Sequence, residues 1–152
     1  VIYKGYHSDA ARTHAVGKIS TEAAKLIEVT KQSFFEGIKF AKAGNHLHDI
    51  SNAIDDFVTP YGYGIVKDLV GHGIGTALHE DPQIPNFRQK RKGLLLQPGM
   101  TLAIEPMINM GSRKIYVDAD DDWTVLTEDG MPSAQWEYTV LITETGAEVI
   151  TG

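Results

Sequence analysis

The apolar residues follow two rhythms along the chain. Val1-Ile2-Tyr3 reads as the end of a strand and Lys4-Gly5 as a turn, so the sequence opens partway through a hairpin and without an initiator Met. That opening predicts a piece of something longer. Residues 6–16 alternate as a strand, with Asp9, Ala11, Thr13 and Ala15 on one face and Ala10, Arg12, His14 and Val16 on the other; Gly17 closes it. Ser20-Thr21 with Glu22 then marks a helix start, where a side-chain oxygen caps free amides and an acid meets the positive end of the dipole. Leu26, Ile27, Thr30, Phe34, Ile38 and Ala41 recur at helical spacing, and Gly44 stands where a C-cap glycine belongs. A second helix is predicted from about Asn45, with Leu47, Ile50, Ile54, Phe57 and Val58 as its stripe and Pro60-Tyr61-Gly62 as its stop. From residue 64 the rhythm shortens. Strands are predicted near 64–70, 76–79, 101–108, 114–117, 123–126 and 135–143, with turns at Pro98-Gly99, Asn109–Arg113 and Asp129–Pro132.

Two helices followed by a run of antiparallel strands predict an α+β layout, both helices on one face of a sheet. The 152 residues hold no repeat and no linker, so one domain over 1–152 is expected. With 42% hydrophobic and 22% charged residues the composition is that of a folded globular chain, not a disordered one. No apolar run approaches the ~20 residues a membrane helix needs, which points to a soluble, cytoplasmic protein without membrane contact. A net charge of −6 argues against DNA or general nucleic-acid binding. The chain has no cysteine, so a metal would have to be held by His, Asp and Glu.

Two charge runs interrupt this pattern. Arg88-Gln89-Lys90-Arg91-Lys92 is a basic loop between strands, either simply solvated or in contact with a polyanion such as ribosomal RNA. Asp118–Asp122 lacks the ligand spacing of a calcium loop and reads as an exposed hairpin tip.

Three strings carry candidate chemistry. In Gly71-His72-Gly73-Ile74-Gly75, followed by His79-Glu80-Asp81-Pro82, the glycines are expected to turn the backbone sharply and leave the imidazole exposed. In Met100–Pro106, Thr101, Ala103 and Glu105 share a face opposite Met100, Leu102 and Ile104. In Ser133–Ile142, Glu137 and Thr139 lie opposite Trp136, Tyr138, Val140 and Ile142. Asp9, Glu105 and Glu137 thus sit on small-residue or hydroxyl faces, where a carboxylate is costly unless paired or metal-bound. That arrangement predicts a cavity on one side of the sheet and a core on the other. One imidazole with several carboxylates is a hard, oxygen-rich set that suits two adjacent divalent ions. A second imidazole such as His79 would then serve the substrate. Each residue taken singly has a plainer structural explanation.

Taken together and in order, His7-Ser8-Asp9-Ala10-Ala11, Gly71–Gly75 with His79-Glu80, Ile104-Glu105-Pro106-Met107, Ser133-Ala134-Gln135-Trp136-Glu137 and Thr143-Glu144-Thr145-Gly146 resemble the bacterial type I methionine aminopeptidases. The resemblance implies the pita-bread fold and removal of the amino-terminal methionine from nascent polypeptides by water activated at two divalent ions (Co, Mn, Fe or Zn). It implies Asp9 and Glu137 as bridging ligands, with His72 and Glu105 completing one ion. Glu105 would also take the proton from the attacking water. It gives His79 a contact near the scissile amide, and Leu78 and Trp123 a place in the methionine pocket. The family's first metal-binding Asp precedes the part of the pattern found here, as does its amino-terminal half. The resemblance therefore predicts a carboxy-terminal half plus one strand, with impaired activity on its own. Tyr138 stands where the family usually has His. Proline-specific peptidases of the same fold share Gly71–Gly75 and Glu105-Pro106, but they generally follow the latter with Gly, where this chain has Met107. A non-catalytic half-fold module binding a protein or ribosomal partner is the other alternative, and metal content separates it from an enzyme.

Overall fold

A computed structural model describes residues 1–152. The chain begins with a small hairpin, β1 (Ile2–Tyr3) and β2 (Tyr6–His7), whose turn puts Lys4 and Gly5 at positive φ. Then come β3 (Ala10–Arg12), α1 (Thr21–Ile38) and α2 (Leu47–Val58), extended by a 3-10 turn over Thr59–Tyr61. Strands β4 (Gly64–Ile65), β5 (Gly71–Gly73), β6 (Glu80–Ile84), β7 (Thr101–Ile104) and β8 (Met107–Asn109) follow. The chain closes with β9 (Ile115–Val117), β10 (Val125–Thr127), β11 (Ser133–Ile142) and β12 (Ala147–Val149).

The ten-residue β11 organises the main sheet. It pairs antiparallel with β7 (Tyr138 opposite Ile104) and with β8 (Gln135 opposite Met107). These two pairings keep one register, so β7 and β8 form a single course interrupted at Glu105-Pro106. β3 and then β12 pair along β11 as well. Beyond β7 lie β5 and β6, and beyond β8 lies β4. β9 and β10 make a separate hairpin.

Both helices cover one face of this sheet, and alternation decides which residues they meet. Leu102, Ile104, Trp136, Tyr138, Val140 and Ile142 join Leu26, Phe34, Ile50 and Ile54 in one core. The Phe34 ring stands edge-on to Tyr138, centroids 5.3 Å apart. Ser20 caps α1 by accepting from the Ala23 amide at 3.1 Å. Gly37 lets the helices close, since a Cβ there would lie 2.7 Å from the Ile54 side chain.

Several predicted boundaries move. The strand expected over 6–16 breaks at Ser8-Asp9 and ends at Arg12. The helix expected to reach Gly44 ends at Ile38; Gly44 instead uses its positive φ in the link to α2, where its amide donates to Leu96 O. Ala41 stays fully buried although it lies beyond the helix. The strand expected at 76–79 is the connection between β5 and β6, because Glu80 accepts from the Ala77 amide and the Thr76 hydroxyl and so closes a loop there. The strand near 64–70 shrinks to Gly64–Ile65.

Candidate metal centre

Four of the residues singled out in the sequence are brought together by register. On β11, Glu137 and Thr139 point away from the helices. The common register of β7 and β8 sets Glu105 opposite Glu137 and Ala103 opposite Thr139. β5 sets His72 opposite Ala103. Continuing the β3 register by one step sets Asp9 opposite Thr139. Ala103 and Thr139 thus form a small-residue floor, around which Asp9, His72, Glu105 and Glu137 stand.

The donor atoms of Asp9, His72 and Glu137 lie within 4.8 Å of one another. Glu105 joins through His72, its Oε1 lying 3.5 Å from Nε2 of the imidazole. His72 Nδ1 faces the Gly73 carbonyl at 2.9 Å. A carbonyl only accepts, so Nδ1 carries the proton and Nε2 presents its lone pair to the cluster. Gln135 Nε2 donates to Glu105 Oε2 at 3.1 Å. Asp9 lies in the gap between β2 and β3, where its Oδ1 accepts from the Ala10 amide at 3.0 Å.

Like charges crowd this patch. Burial, and then the Glu137 and Asp9 carboxylates, push the Glu105 carboxyl up to about 8, against the Gln135 hydrogen bond that lowers it. Burial and then Asp9 push Glu137 up to about 7. Glu80, half-buried beside the cluster, moves the other way, chiefly because the Ala77 amide donates to its carboxylate. No Lys or Arg forms an ion pair with Glu105 or Glu137. Three carboxylates and one imidazole nitrogen, with no cationic side chain among them, fit a divalent cation.

His72 corrects an expectation. It is buried, 7% exposed, inside the β5 ladder rather than lifted out on a turn. Its flanking glycines serve close approach instead. A Cβ at Gly71 would lie 2.4 Å from Ala103 O, and one at Gly73 would lie 2.2 Å from Asp81 O.

His79 is exposed and stands edge-on to His72, ring centroids 4.4 Å apart. Both histidines line a cleft of about 410 Å³ with Glu80, Asp81 and Gln83. A larger groove of about 560 Å³ abuts the cluster at Gln135 and runs over Met107, Leu69, Tyr116 and Leu126. Leu78 sits half-buried beside His79, while Trp123 is 84% exposed on the β9–β10 hairpin and lines neither cavity. Gln135 was missed in the sequence, although it lies two residues before Glu137 on the same face. Asn86, fully buried and donating to the Glu105 carbonyl at 3.2 Å, carries no sequence signal at all.

Known proteins share this arrangement of strands. The profile of metallopeptidase family M24 matches residues 1–144. A methionine aminopeptidase of Clostridium acetobutylicum is 51% identical over 150 residues, covering 99% of this chain and 60% of that protein. The crystal structure of a methionine aminopeptidase from Thermotoga maritima superposes with a TM-score of 0.94 at 44% identity, covering 97% of this chain and 59% of that one. An Xaa-Pro dipeptidase from Bacillus anthracis superposes with a TM-score of 0.76 at 30% identity, covering 98% and 36%. The chain therefore spans about 60% of the length of the methionine aminopeptidases it matches. Its α+β architecture is the pita-bread fold those structures share.

Proposed function

The chain belongs to metallopeptidase family M24, and from that premise we propose that it carries the metal centre of an enzyme that removes the amino-terminal methionine of nascent polypeptides in the cytoplasm. The observation behind this reading is the meeting of Asp9, His72, Glu105 and Glu137 over a floor of Ala103 and Thr139. Asp9 and Glu137 would hold two divalent ions between them, with His72 and Glu105 on one; Co, Mn, Fe and Zn all suit the donors. When bound, the ions supply Lewis acidity that polarises the scissile carbonyl and acidifies water.

The side chains of the site do the rest. In the metal-free chain burial and the neighbouring carboxylates hold the Glu105 carboxyl up at about 8, and bound ions would favour its ionised, proton-accepting form. Glu105 takes the proton of the attacking water and hands it to the leaving amine, while Gln135 fixes its orientation. His79, exposed next to His72, donates to the substrate near the scissile amide as charge develops there. Leu78, half-buried beside His79, contacts the methionine side chain. The basic loop supports docking at a ribosome: Arg88 is held by Asp56, whereas Lys90, Arg91 and Lys92 stay exposed and form no ion pair.

A protein carrying these residues is expected to release Met from a Met-Ala-Ser peptide with Mn²⁺ and not with EDTA, and Glu105→Gln should remove that activity. Preferential cleavage of an Xaa-Pro substrate would move the assignment to the proline-specific branch. Intact activity in EDTA would overturn the metal reading.

A further inference from the structure

On β11, Glu137 pairs with Ala11 of β3 and the Gln135 carbonyl accepts from the Thr13 amide just past it, so a regular ladder would next join Thr139 to Asp9. That rung is not made directly. The Thr139 amide donates instead to the Thr151 hydroxyl at 2.8 Å, and the Thr151 hydroxyl donates to the Asp9 carbonyl at 2.9 Å. On the other side, the Asp9 amide donates to the Thr139 hydroxyl at 3.2 Å, and that hydroxyl donates to the Asp9 carbonyl at 2.9 Å. Two hydroxyls have therefore been inserted into one open rung. The Thr139 carbonyl, left over, accepts from the Ile150 amide at 3.0 Å, and from there β12 runs beside β11.

Every main-chain donor and acceptor at the opening is satisfied, and both lone pairs of the Asp9 carbonyl are used. The strand can thus break at Ser8-Asp9 without an orphaned polar group. Asp9 leaves regular pairing at the point where its carboxylate meets Glu137 and His72. Thr139 forms part of the floor of the site. Thr151 does not, because it reaches Asp9 only through the main chain, from the segment after β12.

We infer that Thr151 is a positioning residue for the metal centre: its hydroxyl, set into the broken β3–β11 rung, fixes the main chain of Asp9 and so aims that carboxylate at the ions. The inference rests on the metal reading above. It makes the carboxy-terminal segment part of the site although it supplies no ligand. Outer partners that orient a ligand typically affect metal affinity ~10–100-fold when removed.

The test is Mn²⁺ titration of the folded chain by calorimetry for wild type, Thr151→Val and Thr151→Ser, with urea unfolding of each in EDTA. Thr151→Val, nearly isosteric but unable to bridge, should weaken Mn²⁺ binding at least ~10-fold. Thr151→Ser, which keeps the hydroxyl, should restore affinity to within about threefold. A Thr151→Val chain that loses metal-free stability but binds Mn²⁺ as wild type does would overturn the inference and leave the metal reading standing. Failure of Ser to rescue would also overturn it. A wild-type chain that takes up no Mn²⁺ would overturn the metal reading and this inference together.

Discussion

Removing the charge of Glu105 should stabilise the metal-free chain, although Glu105 is proposed to be indispensable to its chemistry. The carboxyl ordinarily titrates near 4.5 and is pushed up to about 8 in the fold by burial and by the Glu137 and Asp9 carboxylates. A folded-state pKa above the unfolded value means that the native state binds the proton more tightly. Stability from that source is complete below about 4.5 and drains away as pH rises towards 8. At pH 7 the unfolded carboxyl is ionised and the folded one largely protonated, a gap of about 2.5 pH units at 1.36 kcal/mol each, or about 3 kcal/mol. Glu105→Gln has no proton to lose and still offers an oxygen to the Gln135 amide. In EDTA at pH 7 it should therefore be about 2–3 kcal/mol more stable than wild type, the advantage shrinking to under about 1 kcal/mol at pH 5. Urea unfolding at half-unit steps from pH 5 to 8 measures this directly. Saturating Mn²⁺ should reverse the order, since a cation favours the ionised form that only wild type has. A variant no more stable than wild type at pH 7, with a parallel pH profile, would refute the picture of crowded, unpaired carboxylates.

Glu137, pushed up to about 7, has the same sign: its share of metal-free stability is lost as pH rises from about 4.5 through 7, and Glu137→Gln should flatten that part of the profile. Phe34, fully buried and edge-on to Tyr138, should cost about 3–5 kcal/mol when truncated to Ala, read from urea midpoints. Gly71→Ala drives a Cβ to 2.4 Å from the Ala103 carbonyl, which is backbone and cannot swing aside. It should destabilise by at least about 1 kcal/mol and weaken Mn²⁺ uptake, because the β5–β7 pairing that seats His72 must shift. His79→Ala should leave Mn²⁺ affinity unchanged while lowering kcat for Met-Ala-Ser ~100-fold or more, the scale of losing one donor to a developing oxyanion.

The sequence exposes the helix stripes and the sides of β7 and β11, because each long element repeats its period several times. Leu47, Ile50, Ile54 and Val58 are all buried, as the periodicity requires. Glu105 and Glu137 could be set apart for the same reason: each is an acid among small or hydroxyl residues on a strand whose other face is bulky. β5 and β6 were not legible. Gly71-His72-Gly73 is too short to show alternation, and Glu80-Asp81-Pro82-Gln83 reads as polar loop although it pairs with β5. The burial of His72 follows from that pairing. The break at Asp9 was hidden as well, since Asp9 and Thr139 meet only through hydroxyls, one from Thr139 itself and one from Thr151 beyond β12. The resemblance to known aminopeptidases supplied the order of the motifs; register explains why those residues share one face.

Anomalous scattering from crystals grown with Mn²⁺ tests the central claim most directly. Anomalous difference peaks are expected among Asp9, His72, Glu105 and Glu137, with His72 Nε2 and carboxylate oxygens at roughly 2.0–2.3 Å. A map with no peak there, or with ordered Mn²⁺ only at the exposed Asp118–Asp122 tip, would contradict the account.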